Sequence, residues 1–522
     1  MRRPIDLVDV FFHRKEARIA REIQGRSNPG RGSGFSRRDL LAGMGIAACG
    51  LASGCMGTEN VHVPNGTDMT DGPQVAQALQ LTDPATNREI EGYASATSIN
   101  RGESIGLYVN TAEPTYTIEA LRLGWYGGAG SRSMMQPVLR TGEQQEPAHF
   151  YPAAGLVECD WRNPYVLTTG NSLDPADWPS GIYVAKLTAA SGKQSYIPFV
   201  VRDDSRASDI LFQCSVNTYQ AYNPWGGWSL YTDPRAYAVS FNRPYSGGYG
   251  TGDLLNWEFH MLRYLESQGY DVTYTTNVDT HSQGEFLTLH KAFLSVGHDE
   301  YWTWEMRDQV EEARNRGVNL GFFGSNVSYW QIRYADSPAT GDKNRTIVCY
   351  KEEKPDPASH SSNDKTRERT TVKFRSHIVG RPEDILVGQM WETWPVQGDM
   401  VIILPDDWVF DGAGLKKGDH LPGLLGYEVD RIWTHSPAGT YHVANSPYKY
   451  YGDTRYSHMT VYHHAPSNAT VVATGTMQWN WGLSNVLIGG LSYTCEPAQI
   501  ATKNILDRFH VLPNSPIAAV SQ

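Results

Sequence analysis

The sequence predicts a β-sandwich followed by a larger α/β domain on a mostly parallel sheet, and three observations carry that expectation. Short alternating apolar runs separated by turn residues extend from about Leu79 to Asp203. From about Ser208 the runs become continuous and alternate with segments of helical spacing. With 522 residues, 40% hydrophobic and 19% charged, the chain can close a large core without a disulfide scaffold or structural zinc.

The first 55 residues stand apart from both domains. They hold ten Lys and Arg against five acids. Ser36-Arg37-Arg38-Asp39-Leu40-Leu41 puts a twin-arginine pair before a short apolar stretch, the pattern of a Tat export signal. That stretch is too short to span a bilayer. Leu51-Ala52-Ser53-Gly54-Cys55 resembles a lipobox; Ile46-Ala47-Ala48-Cys49 competes with it but leaves a shorter apolar region. The expectation is a Tat signal with lipobox over residues 1–55 and a cell-envelope or periplasmic location. Membrane attachment is then only through a lipid on Cys55. Residues 56–78 read as a polar linker.

Losing a segment with five more basic than acidic residues takes the formal charge from −11 to −16. So acidic a chain lacks the basic surface that nucleic acid requires, and no nucleic-acid partner is expected. Cys159, Cys214, Cys349 and Cys495 make no close pair, which argues against thiolate zinc. The 15 Trp and 29 Tyr favour interfaces and ligand pockets.

Residues 79–203 show strand-like runs such as Ser104 to Val109, Ile118 to Trp125, Ile182 to Leu187 and Tyr196 to Val201. Many short strands at regular spacing predict an Ig-like β-sandwich. Asp203-Asp204-Ser205 breaks the series. In the α/β domain, residues 204–515, strands are expected at Asp209 to Cys214, Tyr270 to Tyr274, Ala292 to Val296, Val318 to Phe323, Met400 to Leu404 and Ala469 to Ala473. Helices are expected from Leu254 to Leu265 before Gly269, from Met306 to Ala313 before Gly317, and from Ala498 to Phe509. Lys351 to Arg369 reads as a solvated loop, and residues 516–522 as a tail.

In an open parallel sheet, ligands bind beyond the carboxyl ends of the strands. Four polar and aromatic segments follow strands there: Asn217 to Trp228, Gly297 to Trp302, Gly324 to Trp330 and Gly475 to Gly482. Gly426-Tyr427-Glu428-Val429-Asp430 is a fifth. His298 and Glu300 are two apart, so on extended backbone they point the same way and can share a metal or act as an acid–base pair. Taken singly, Glu428 beside Asp430 and Arg431 reads more readily as a surface ion pair, and Asn326 is an equally weak signal. Tyr183 reads first as a packed strand residue, and Tyr222 as a stacking residue in a Pro- and Gly-rich loop. Ser325 lacks the Gly-x-Ser-x-Gly elbow of a serine hydrolase, and no His-Glu-x-x-His zinc motif occurs.

Taken together, Trp-x-Ser-Gly-x-Tyr, Thr-x-x-Ala-Tyr-Asn, Gly-His-x-Glu-Tyr-Trp, Gly-x-Asn-x-x-Tyr-Trp and Gly-x-Glu-x-Asp occur in that order. Over roughly Tyr183 to Trp481 the chain resembles the large subunit of N,N-dimethylformamidase and its relatives. The resemblance implies a β-sandwich followed by a class I glutamine-amidotransferase-like (flavodoxin-like) α/β domain without the amidotransferase cysteine. It implies hydrolysis of a small-molecule amide at a mononuclear ferric iron held by two tyrosines and a glutamate. Motif by motif, these are Glu300, Tyr222 (with Tyr219 as the alternative) and Tyr183. His298, Asn326 and Glu428 become substrate-facing groups, with Glu428 as general base and Asn326 as a donor to the oxyanion. The family's enzyme works with a separate small subunit, which nothing in this sequence reveals; a homo-oligomer is also compatible. Two rival readings stand beside it. One is a non-enzymatic envelope lipoprotein that binds glycan or peptide through a Trp/Tyr-rich face. The other is a sugar-linked relative, since Gly475 to Gly482 also resembles a motif of trehalose-utilisation-type proteins.

Overall fold

A computed structural model describes residues 79–514, apart from 173, 175 and 176. Residues 1–55, expected to be an export signal and holding Cys49 and Cys55, the expected linker 56–78 and the tail 516–522 lie outside the described residues. The architecture is mixed α/β: antiparallel sheets come first, then a mixed, largely parallel sheet with helices.

A hairpin of Gly181–Ala189 and Gln194–Arg202 forms the middle of a six-stranded sheet, flanked by Thr115–Leu123 and Ser98–Asn100. Ser98–Asn100 pairs parallel to its neighbour; the other pairs are antiparallel. A three-stranded sheet of Ile90–Ala94, Ser104–Thr111 and Tyr165–Thr168 packs against it. In Ser104–Thr111, Ile105, Leu107 and Val109 alternate into the core between the sheets, as the period-two pattern dictates.

The other face of the six-stranded sheet is also buried. Tyr183, Ala185 and Leu187 face the inter-sheet core, whereas Ile182 and Val184 join the core of the α/β part. Ion pairs Arg122–Glu266 at 2.7 Å and Arg202–Asp279 at 2.9 Å cross the same boundary.

The central sheet runs in the order Val272–Thr276, Ile210–Cys214, Ala292–His298, Asn319–Ser325, Ala469–Ala473, Asp453–His464 and Tyr441–Tyr450. The first five strands are parallel and the last two antiparallel. Alternation along these strands feeds two cores: Leu294 and Phe323 face one, Phe293 and Phe322 the other. Helix Trp304–Asn315 covers the second face with Met306, Val310 and Ala313. Helices Phe259–Ser267 and Glu496–Arg508 cover the first. The expected helix from Leu254 is two pieces, Leu254–Trp257 and Phe259–Ser267, broken at Glu258, whose buried carboxyl accepts the Ser215 N–H at 2.9 Å. The Met400 run ends a long strand, Met390–Val401, paired with His420–Arg431 outside the central sheet.

Candidate active site

The strand Ala292–His298 delivers the centre of the site. Gly297 has φ +74, and a Cβ there would lie 2.6 Å from Trp257 Cβ, so both conformation and space call for glycine. Beyond it, Asp299 turns inward. Its carboxylate accepts hydrogen bonds from Gln213 at 2.7 Å, Asn277 at 2.9 Å and Ser295 at 2.9 Å. This anchor turns Glu300 the other way, towards the site. Glu300 is only 2% exposed, and its backbone N–H donates to Thr218 Oγ1 at 3.0 Å.

Two phenols converge on the Glu300 carboxylate. Tyr222, the last residue of helix Val216–Tyr222, donates to Oε2 at 2.8 Å. Tyr231 donates to Oε1 and Oε2, each at 3.0 Å. The two rings stack with centroids 4.1 Å apart, and Tyr301 donates to the Tyr231 hydroxyl at 2.6 Å. Arg243 fixes the loop between the two tyrosines by donating to the carbonyls of Asn223, Trp225 and Trp228.

A second carboxylate arrives on the strand His420–Arg431. Glu428, 2% exposed, accepts the Asn326 side-chain amide at 2.6 Å. Asn326 follows the strand Asn319–Ser325 and has φ +58, a left-handed conformation that asparagine tolerates. Asp430 holds that turn: it accepts Ser325 Oγ at 2.7 Å and the Asn326 N–H at 2.9 Å. His298 Nε2 lies 3.5 Å from Glu300 and 3.7 Å from Glu428. It is buried with no hydrogen-bond partner among the described residues. His298, Glu300, Asn326, Glu428 and Tyr222 are thus brought to one place at the carboxyl end of the sheet.

Burial, and then the charge of Glu300, push the phenols of Tyr222, Tyr231 and Tyr301 well above the usual range. They are therefore protonated donors to the carboxylate unless a cation sits among them. Burial also pushes Asp430 up to about 7, against the hydrogen bonds from Ser325 and Asn326. Among the described residues, no group of three or more His, Cys, Asp or Glu side chains is placed to hold a metal ion. Two phenols and one carboxylate are a different donor set, composed of hard oxygens.

Tyr183 is not with the others. It is fully buried between Trp178 and Phe199 in the sandwich, with ring centroids at 5.4 Å to each, and its hydroxyl donates to the Pro179 carbonyl at 2.6 Å. In the place expected for it from the motif order, beside Tyr222 and on Glu300, stands Tyr231. Tyr219, the expected alternative, is buried next to Tyr245, not on Glu300. Lys351 corrects the reading of its segment as a wholly solvated loop: it is 9% exposed, with Nζ 3.4 Å from the centre of the Tyr231 ring. The Gly475 to Gly482 segment braces the strand ends. Asn480 donates to the Phe323 carbonyl at 2.8 Å and Trp481 to that of Asn256 at 3.0 Å. Tyr231 had no recognisable signal in the sequence beyond lying in an aromatic loop, and Lys351 had none.

A family model described as "N,N-dimethylformamidase beta subunit-like, C-terminal" matches residues 117–494 and so contains every residue of this cluster. The chain belongs to this formamidase beta subunit-like family. Among curated proteins it is similar to the N,N-dimethylformamidase beta subunit of Alcaligenes sp, with 23% identity over 249 residues. It is similar also to the N,N-dimethylformamidase beta subunit of Paracoccus aminophilus, with 24% identity over 257 residues. Each match takes in 45% of this chain and 32% of the relative, so the chain spans about a third of those formamidase subunits. A Paenibacillus sp. cycloisomaltooligosaccharide glucanotransferase structure aligns at 10% identity over 49% of this chain and 33% of its own. Its TM-score is 0.13, too low to bear on the formamidase-like fold.

Proposed function

We propose that the chain is a metal-dependent hydrolase of a small-molecule amide C–N bond, with one iron held by Tyr222, Tyr231 and Glu300. One observation carries the reading: two phenol hydroxyls converge on a single buried carboxylate, beside an unpartnered histidine nitrogen and a second carboxylate. Two phenolates and one carboxylate balance a trivalent ion, and hard oxygen donors favour ferric iron. Membership of the formamidase-like family supports an amide substrate, and the resemblance implies two tyrosines and a glutamate on iron without singling out Tyr231. When bound, such an ion polarises a carbonyl and acidifies water.

The remaining groups handle protons and position. Glu428, oriented by Asn326, accepts the proton of the attacking water. His298, within 3.7 Å of both carboxylates, carries the proton toward the departing amine. Asn326 spends one amide N–H on Glu428, and its second is directed to the oxyanion. Asp430 keeps Asn326 in its left-handed turn.

The same proposal takes the N-terminal sheets as an Ig-like sandwich and the α/β part as a glutamine-amidotransferase-like domain. It takes the protein as a Tat-exported envelope lipoprotein anchored at Cys55. Incorporation of labelled fatty acid that is lost in Cys55→Ser tests the anchor. Metal analysis with a visible spectrum tests the site, because ferric phenolate absorbs visible light. A metal-free, colourless protein isolated from iron-replete cells overturns the reading, as does a Glu300→Ala variant that keeps both metal and colour.

A further inference from the structure

The six-stranded sheet and the α/β part enclose a cavity of about 40 Å³, remote in composition from the Glu300 cluster. A water needs roughly 10–15 Å³ on this scale, so the space suits about three waters or one small organic ion. Ile197 and Phe199 wall it on the sandwich side, and Val216 and Phe241 on the other. The charged residues that line it are Arg243 and Arg345; no Asp or Glu does.

Both arginines are buried, at 1% and 5% exposure. Arg243 spends its N–H groups on Gln220 Oε1 and on the carbonyls of Asn223, Trp225 and Trp228. Arg345 gives Nε to Asn242 Oδ1 at 2.7 Å and Nη2 to the Ala94 carbonyl at 2.7 Å. Its Nη1 donates to no described residue. All of these acceptors are neutral, so two positive charges face the cavity with no carboxylate in its lining; Asp342 acts on Arg345 from outside it. Burial pushes each guanidinium down to about 10, and both therefore keep their charge at neutral pH. Buried charges are ordinarily paired.

We propose that this cavity binds a small monocarboxylate of the size of formate or acetate, held by Arg345 Nη1 and balanced by the charge of Arg243. A carboxylate oxygen accepts the charge-assisted Nη1 N–H, and the apolar walls take its hydrogen or methyl group. Arg243 also clasps the loop that carries Tyr222 and Tyr231, so an anion here stiffens that loop from behind. The proposal does not depend on the metal reading.

The test is thermal unfolding and calorimetric titration of the full chain with sodium acetate against sodium chloride at equal ionic strength. Acetate should raise Tm saturably, and chloride should not. Arg345→Met should weaken acetate binding at least tenfold. Val216→Phe, which fills the cavity without touching either charge, should abolish it even where Arg345→Met does not fold. Glu300→Ala should respond as the unaltered protein does. Equal effects of acetate and chloride overturn the proposal, as does unchanged acetate binding in Arg345→Met or Val216→Phe. Loss of the response in Glu300→Ala also overturns it, because the carboxylate then binds at the Glu300 cluster.

Discussion

The Tyr231 hydroxyl donates to both oxygens of Glu300, at 3.0 Å each, while its ring stacks on Tyr222. Tyr183, by contrast, has its hydroxyl closed on the Pro179 carbonyl. The two tyrosines therefore predict opposite phenotypes. On the proposed iron site, Tyr231→Phe should lose most of the iron and the visible absorbance. Tyr183→Phe should keep both and lose about 1 kcal/mol of stability, the usual worth of one hydrogen bond. Iron-to-protein ratio, absorbance and urea unfolding of the two variants decide it. Full iron in Tyr231→Phe would remove this residue from the ligand set.

Gly297 sets the direction of the segment that carries His298 and Glu300. Alanine there meets Trp257 Cβ at 2.6 Å and must hold φ +74. Strain in left-handed backbone costs about 1 kcal/mol or more, and the clash adds to it. Gly297→Ala should fold with stability lowered by roughly 2–4 kcal/mol and with activity lowered further than that loss explains. Denaturant unfolding beside kcat on the folded fraction separates the two effects. A variant as stable and active as the parent would show that the turn tolerates a side chain.

How much of this was legible in the sequence depended on whether the signal was local. The parallel strands were, because continuous apolar runs such as Ala292 to Val296 need cover on both faces. The His298–Glu300 pairing was, because period two puts both on one side. The role of Tyr183 was not. It shares parity with Ala185 and Leu187, which face the sandwich core, while Ile182 and Val184 face the α/β core. Both faces of that strand are apolar, so no pattern told which side the tyrosine takes. Tyr231 and Lys351 reach the site through irregular backbone; the distant Arg243 anchors the loop before Tyr231, and Lys351 meets the ring of Tyr231.

In the proposed mechanism Asp430 acts through Asn326. Its carboxylate holds the Ser325 hydroxyl and the Asn326 N–H, and Asn326 in turn holds Glu428 at 2.6 Å. Asp430→Ala leaves a buried N–H without its acceptor, at a cost of about 1–3 kcal/mol. It should lower kcat by roughly ten- to a hundredfold with little change in KM, since no substrate contact is lost. Asp430→Asn, which retains an acceptor oxygen, should recover much of kcat. A rise in KM alone, with kcat intact, would place Asp430 in substrate binding instead.

Glu258 makes the fold itself pH-sensitive. It is buried, and desolvation raises its carboxyl to about 8 against an ordinary value of 4.5. Because the folded state holds this proton more tightly than the unfolded chain, the associated stability is fully present below pH 4.5. It is lost as pH rises through 8 and constant above that. Glu258→Gln keeps an oxygen to accept the Ser215 N–H, a bond of 2.9 Å, and removes the titration. The Tm of Glu258→Gln minus that of the unaltered protein should therefore grow steadily from pH 5 to about pH 8 and then level. Taking the difference cancels the contribution of Asp430, which titrates in the same window at about 7 in both proteins. A difference that stays flat from pH 5 to pH 8.5 would mean that Glu258 is ionised in the folded state across this range.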